Sequence, residues 1–496
     1  MNKRYFFLLL LILIFSCKNV TNEDLEKNKH AYLKEQSEFA PSINNYLNSN
    51  YYSLNSLNQS RFTNKIDSLK NIFKTHINKY KERLDKKTLN HEILEVNFAF
   101  DRFILEYPQK HKAFMGEEIV LSKKNQSRLE NLLMYFNDAD NLSNESFKRF
   151  VMSYIKIKSN KKLESEIYDK LDNQKLHANW DVMDSIFTNS TVSDFWKHKY
   201  LHDHIDNLGI KNIDNIYSSF MSSCKTSEYS ESISTIYNSH KKGRANHIIE
   251  TYKEIDGYEL DMHLFLPNSE DFKEKRPTII QFHGGSWSKG KPDWFFSTAE
   301  AYAKQGWVVG VVEYRIKGKQ DTYPFESVKD AKSAIRWIRE NAEKYNIDSN
   351  KIIVTGNSAG GHLSLATTLI DNWNEDTDNL EISATPNVII VNSGVYDLTT
   401  NATRWITEMM QDKDIVKEIS PNHLLKKSAV KMLLIHGEKD RNCPYENAEY
   451  FYNEMKSLGN DIKLHTVKDA EHMIWYGKHS TEVSEITSEY IRNLNF

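Results

Sequence analysis

Lys351-Ile352-Ile353-Val354-Thr355-Gly356-Asn357-Ser358-Ala359-Gly360-Gly361-His362-Leu363 decides the fold of this 496-residue chain. The β-branched run that opens it fits a strand buried on both faces. Glycines then flank Ser358, so neighbouring chain can approach a sharply turned serine without side-chain clash, and a helix is expected from about Ala359. Outward from this unit the same grammar repeats. His247–Glu254 and Tyr258–Leu266 read as an antiparallel hairpin turned at Asp256-Gly257. Strands are expected at Thr278–Phe282, Trp307–Val312, Asn387–Val391, Lys431–His436 and Ile462–Val467, with helices near Asp293–Lys304 and over Phe325–Tyr345. Short β-branched runs separated by helices require a doubly wound, mostly parallel α/β sheet covered on both faces.

Polar groups able to do chemistry collect at the carboxyl ends of these strands, where open α/β sheets gather their sites. His283-Gly284-Gly285-Ser286-Trp287 ends one strand, and its glycines leave backbone N–H groups unscreened by a Cβ. With the N–H of Ala359, those of Gly284 and Gly285 are candidates to hold an oxyanion. Asp440 follows the strand Lys431–His436 and His472 follows Ile462–Val467. The order Ser358, Asp440, His472 is that of a nucleophile, an acid and a base assembled from separate strand ends. Asp397, after the strand Asn387–Val391, is the alternative acid.

These stretches, with Tyr314-Arg315, Tyr323-Pro324-Phe325, Asp330 through Trp337 and Val395–Leu398, resemble the esterase/lipase group related to hormone-sensitive lipase. The likeness covers residues 277–475 and is nearest to bacterial feruloyl- and acetyl-esterase-like members. It implies an α/β-hydrolase fold and a serine carboxylic ester hydrolase with triad Ser358, Asp440 and His472, needing no metal or organic cofactor. Ser286 stands where the family commonly has a third glycine, and Glu471 where it has a small residue. Trp287, Trp294 and Trp475 are expected near the strand ends as substrate-lining residues. A prolyl-oligopeptidase-like peptidase shares the triad order, and a non-catalytic binding lipoprotein is the reading from another class.

The first half is written differently. Only three of the 17 glycines and two of the nine prolines precede residue 245. Faces such as Leu69, Ile72, Phe73, Ile77 and Tyr80, or Ile93, Val96, Phe100, Phe103 and Tyr107, recur at helical spacing. An all-α domain is expected over 40–243, ahead of the hydrolase domain at 244–496. Its helices are similar to the leader of thioredoxin-like bacterial lipoproteins, although no Cys-x-x-Cys occurs. His198, His202 and His204 lie on one such helix and read as solvated surface histidines.

At the start, Lys3 and Arg4 precede an apolar run from Tyr5 to Phe15 that ends at Ser16-Cys17. A helix of that length reaches only about half of the hydrocarbon thickness. The pattern resembles a bacterial lipobox, with residues 1–17 as signal peptide, Cys17 as the lipidated residue and 18–39 as a polar tether. That address implies anchoring to a membrane of a Gram-negative envelope. Composition is that of a folded protein, 39% hydrophobic and 27% charged, with a net charge of −3. So balanced a charge argues against a nucleic-acid partner held through phosphates. A small-molecule or polysaccharide ester is the expected partner. Three cysteines are too few for a disulfide framework.

Overall fold

Strands and helices alternate from residue 248 because apolar runs there are too short for helices and are punctuated by turn residues. A computed structural model describes residues 22–168, 171–399, 406, 413–494 and 496. The signal segment, Cys17 included, lies outside the described residues.

Six helices come first: α1 (Asn22–Ser49), α2 (Tyr51–Asn55), α3 (Gln59–Tyr80), α4 (Lys86–Met115), α5 (Lys123–Leu133) and α6 (Glu145–Leu163). Four more follow: α7 (Gln174–Ile186), α8 (Ser190–Leu208), α9 (Asp214–Ser223) and α10 (Ser227–Arg244). The second half contains β1 (Ile248–Ile255), β2 (Tyr258–Phe265), β3 (Arg276–Phe282), α11 (Phe296–Ala303), β4 (Val308–Val312), α12 (Lys317–Gln320) and α13 (Pro324–Glu340). It continues with β5 (Ile347–Asn357), α14 (Ala359–Leu369), β6 (Val388–Asn392), β7 (Lys431–Gly437), α15 (Tyr445–Ser457), β8 (Ile462–Val467) and α16 (Ser480–Arg492).

The chain falls into two compact units. One comprises the described residues up to Phe136 together with Asp140–Tyr154; the other comprises Asn137–Ala139 and Ile155–Phe496. The change from helical to alternating grammar lies at residues 244–248, whereas the boundary between units falls inside α6. Helices α7 to α10 therefore belong with the sheet.

In the first unit, Tyr32, Ile43 and Leu47 of α1 join Phe62, Ile66 and Ile77 of α3 and Val96, Phe100 and Ile104 of α4 in one apolar cluster. This corrects the expected tether at 18–39, which is helix from Asn22 onward. A sparse apolar line is enough, because Tyr32 stacks on His76 at 4.6 Å and its hydroxyl donates to Glu92 at 2.8 Å. On α3 the expected face holds at Leu69, Ile77 and Tyr80, while Ile72 is exposed.

The second unit carries one eight-stranded sheet ordered β1-β2-β4-β3-β5-β6-β7-β8. β1, β2 and β4 pair antiparallel, and every pairing from β4 through β8 is parallel. Non-consecutive neighbours mean crossovers, and helices supply them on both faces. A buried ionic knot ties the start of this architecture together: Arg315 after β4 bonds Asp330 of α13 at 2.8 Å and Glu375 at 2.6 Å, and Lys253 of β1 bonds Asp330 at 2.7 Å. Removing one member of such a buried set leaves an uncompensated charge, at a cost of about 3–5 kcal/mol.

Candidate active site

β5 runs straight into Ser358, which adopts φ 54° and ψ −118° before α14 begins. That left-handed backbone is costly for serine and is held from both sides. The Ser358 N–H donates to the Asn392 carbonyl of β6 at 3.0 Å, and its carbonyl accepts from His362 at 3.1 Å. Gly360 is needed for close approach, since a Cβ there would drive into the Phe282 carbonyl at the end of β3. The turn thereby packs the serine directly against the strand that carries Gly284.

Gly284 lies close by: a Cβ built on it would stand 3.4 Å from the Ser358 Cβ. Among the described residues, the N–H groups of Gly284 and Gly285 donate to no backbone acceptor. The Ala359 N–H opens α14 and, like every first-turn amide, has no partner within the helix. Ser286, in the place of a third glycine, takes φ 53°.

Asp440 and His472 meet beyond β7 and β8. The His472 Nδ1 lies 2.7 Å from the Asp440 Oδ2. The other carboxylate oxygen accepts the N–H groups of Asn442 and Cys443, each at 2.9 Å. Burial alone would raise the Asp440 carboxyl, but hydrogen bonds from His436, His472 and the Cys443 N–H outweigh it and hold the group well below the usual carboxylate range. An ionised Asp440 fixes the tautomer of His472 with the proton on Nδ1, which leaves Nε2 free as a base. Ser358 and His472 line the same cavity of about 870 Å³. Asp397 is elsewhere: it accepts from Thr399 and lies 3.6 Å from His423.

The aromatic residues divide. Trp294 is 47% exposed and Trp475 sits edge-on to His472 at 5.5 Å, both in the cavity wall. Trp287 also borders the cavity but is 1% exposed, its ring packed edge-on to His362 at 5.1 Å. Expected as a lining residue, it is a core residue that backs the wall. Its place in a turn of two left-handed residues, Ser286 and Trp287, aims the ring inward.

Two groups escaped the sequence reading. Cys443 lines the cavity with Ser358, and burial together with Asp440 pushes its thiol up, so it stays protonated. His436 donates to the Cys443 carbonyl at 2.8 Å and lies 3.3 Å from Asp440. Its position four residues before Asp440 was the available signal. Ligand atoms of Asp440, Cys443 and His472 lie within 4.8 Å of one another. Cys224 and Cys443 are both free thiols. On α8, His198 stacks on Tyr229 and bonds Ser232, while His204 is buried, its pKa pushed down to about 3 mainly by desolvation. The expectation of solvated histidines therefore fails for His204.

A strand–elbow–helix serine, an acid–base pair after the next strands and two glycine N–H groups beside the serine define an α/β hydrolase. Residues 262–455 match the BD-FAE family model, overlapping most of the stretch 277–475 whose motifs resemble the esterase/lipase group. Among curated relatives, the esterase LipQ of Mycobacterium tuberculosis is 30% identical over 205 residues, 37% of this chain and 47% of that protein. The esterase LipC of the same organism is 28% identical over 198 residues, 37% of this chain and 49% of that protein. The chain spans about half the length of these curated relatives. Among solved structures, the thermophilic esterase Est2 of Thermogutta terrifontis is 27% identical, covering 51% of this chain and 93% of its own, with a TM-score of 0.47.

Proposed function

We propose that this chain hydrolyses carboxylic esters through an acyl-enzyme on Ser358. The observation that carries the reading is the short Asp440–His472 hydrogen bond beside a cavity that also contains an elbow serine. In this mechanism His472 Nε2 takes the Ser358 proton as Oγ attacks the ester carbonyl. Asp440 holds the imidazole and balances its positive charge. Negative charge gathers on the carbonyl oxygen, which the N–H groups of Gly284, Gly285 and Ala359 receive; one such donor is worth about 3 kcal/mol in the transition state. The protonated His472 then gives its proton to the leaving alcohol. Water, deprotonated by the same imidazole, attacks the acyl-enzyme and releases the acid.

For the substrate we propose acetyl or feruloyl esters on carbohydrate. Trp294, Trp475 and Tyr476 give the cavity flat aromatic walls suited to a sugar face or a phenyl ring. The test is release of acetate and ferulate from acetylated and feruloylated xylans. Release by the wild type and none by Ser358→Ala is expected; hydrolysis of p-nitrophenyl acetate with neither xylan attacked would remove the carbohydrate assignment alone.

We further propose that Cys17 carries the lipid of an envelope lipoprotein. Mass spectrometry of the membrane fraction is expected to find an acylated Cys17 as the N-terminus, and an unmodified Cys17 would overturn this. A peptidase of the prolyl-oligopeptidase type is disfavoured, because the described residues before β1 are helices rather than the strand-built blades of a propeller.

A further inference from the structure

Helices α8 and α10 lie outside residues 262–455, the stretch matched by the family model, yet they reach the loop that presents the glycine N–H groups. That loop runs from Gly284 through the turn at Gly285–Ser288, where Gly285 accepts from Ser288 and Lys289, and returns at Gly290. Gly290 adopts φ 120°, and a Cβ on it would strike the His283 ring and the Gly284 carbonyl. Its two limbs thus touch, and a shift of Gly290 is a shift of Gly284.

The returning limb is held by α8 and α10. The Gly290 N–H donates to the Asn207 carbonyl at 2.8 Å. Lys291, 3% exposed, sends its ammonium to the Ile205 carbonyl at 2.8 Å and to the His240 Nε2 at 3.1 Å. Both carbonyls belong to the last turn of α8, whose partial negative charge suits a buried cation. An ammonium only donates, so the His240 Nε2 accepts and its Nδ1 carries the hydrogen. That Nδ1 lies 2.6 Å from the Asp293 Oδ2. A continuous chain, Lys291 to His240 to Asp293, therefore links α10 to both sides of the segment that follows the loop.

We propose that α8 and α10 set the backbone donors of the oxyanion loop, with Lys291 and His240 as positioning residues acting through Gly290 on Gly284. This inference rests on the ester-hydrolase reading. It gives part of the helical half a role in catalysis: without these two bonds the loop keeps its sequence but loses the anchor that aims its N–H groups. Donors aimed at a charge that exists only in the transition state affect turnover, with little effect on substrate binding.

The experiment uses the full chain and p-nitrophenyl butyrate, with active sites counted by a p-nitrophenyl phosphonate that labels the nucleophilic serine. Lys291→Met and His240→Phe are each expected to lower kcat per active site at least tenfold while KM stays within threefold. Asp293→Asn, which can still accept from the His240 Nδ1, is expected to remain within threefold. So is Gln174→Leu, which removes a bond from α7 to the Tyr258 hydroxyl and touches neither Gly290 nor Lys291. If Lys291→Met fails to fold, His240→Phe decides. The inference is overturned if kcat per active site is unchanged in the folded variants, or if the loss appears only as fewer active sites or a raised KM. No labelling of wild-type Ser358 would be a different failure, that of the ester-hydrolase reading, and would take this inference with it.

Discussion

The elbow at Ser358 and the loop from Gly284 to Gly290 face the same cavity, but different parts of the molecule hold them. The elbow is fixed by the central sheet: β6 accepts its N–H, α14 starts from it, and β3 lies against its glycine. The loop is fixed from outside the sheet, by the end of α8 and by His240 of α10. A nucleophile built into the sheet is defined by a local motif. Donors borrowed from a loop need a wall behind them, and here that wall comes from residues 86 and 51 positions upstream of Lys291 in sequence.

The sharpest way to break the comparison is at the elbow. Ser358→Ala should cut kcat on p-nitrophenyl butyrate by a factor of about 10⁴ or more, with the fold intact by circular dichroism, because no other group supplies the nucleophile. Asp440→Asn should follow with a loss of about 10³ to 10⁴, since the amide cannot hold the same tautomer of His472 or balance its charge. On the loop side, Gly285→Ala should cost about 10² in kcat. Gly285 sits at φ 112°, and a Cβ there would meet the Lys289 carbonyl, so the donor turn must move. Trp294→Ala should be mildest, raising KM for feruloyl esters about threefold with little effect on acetyl esters.

The Asp440 carboxyl is held below its ordinary value in the folded protein, so folding is favoured while it is ionised. That contribution is complete above the unfolded carboxylate pKa of about 3.9 and is lost as pH falls through the folded value. Urea denaturation of the wild type and Asp440→Asn should therefore converge below about pH 4. A constant difference across that range would contradict the shift.

Much of the sheet was legible because its signals are local. β8 falls on the expected Ile462–Val467, β5 contains the expected strand, and Ser358, Asp440 and His472 were each placed by a motif at a strand end. What was not legible depends on distant partners. The polar composition of residues 18–39 hides a helix whose few apolar side chains find α3 and α4. Trp287 looks like a cavity aromatic until the left-handed turn aims it at His362. The helices from 174 to 244 share their grammar with the first unit, so no compositional step at residue 155 marks where packing against the sheet begins. His204, Lys291 and His240 are ordinary polar residues in sequence; only the three-dimensional packing of α8 and α10 buries His204 and Lys291 and pairs Lys291 with His240.

Ester hydrolysis through Ser358 requires that serine to be the reactive hydroxyl, and phosphonate labelling followed by peptide mass spectrometry reads this directly. A single adduct on the peptide containing Ser358 is expected, at least a hundredfold slower to form in His472→Gln. A label on Cys443 or any other residue, or labelling at the same rate without the imidazole, would contradict it.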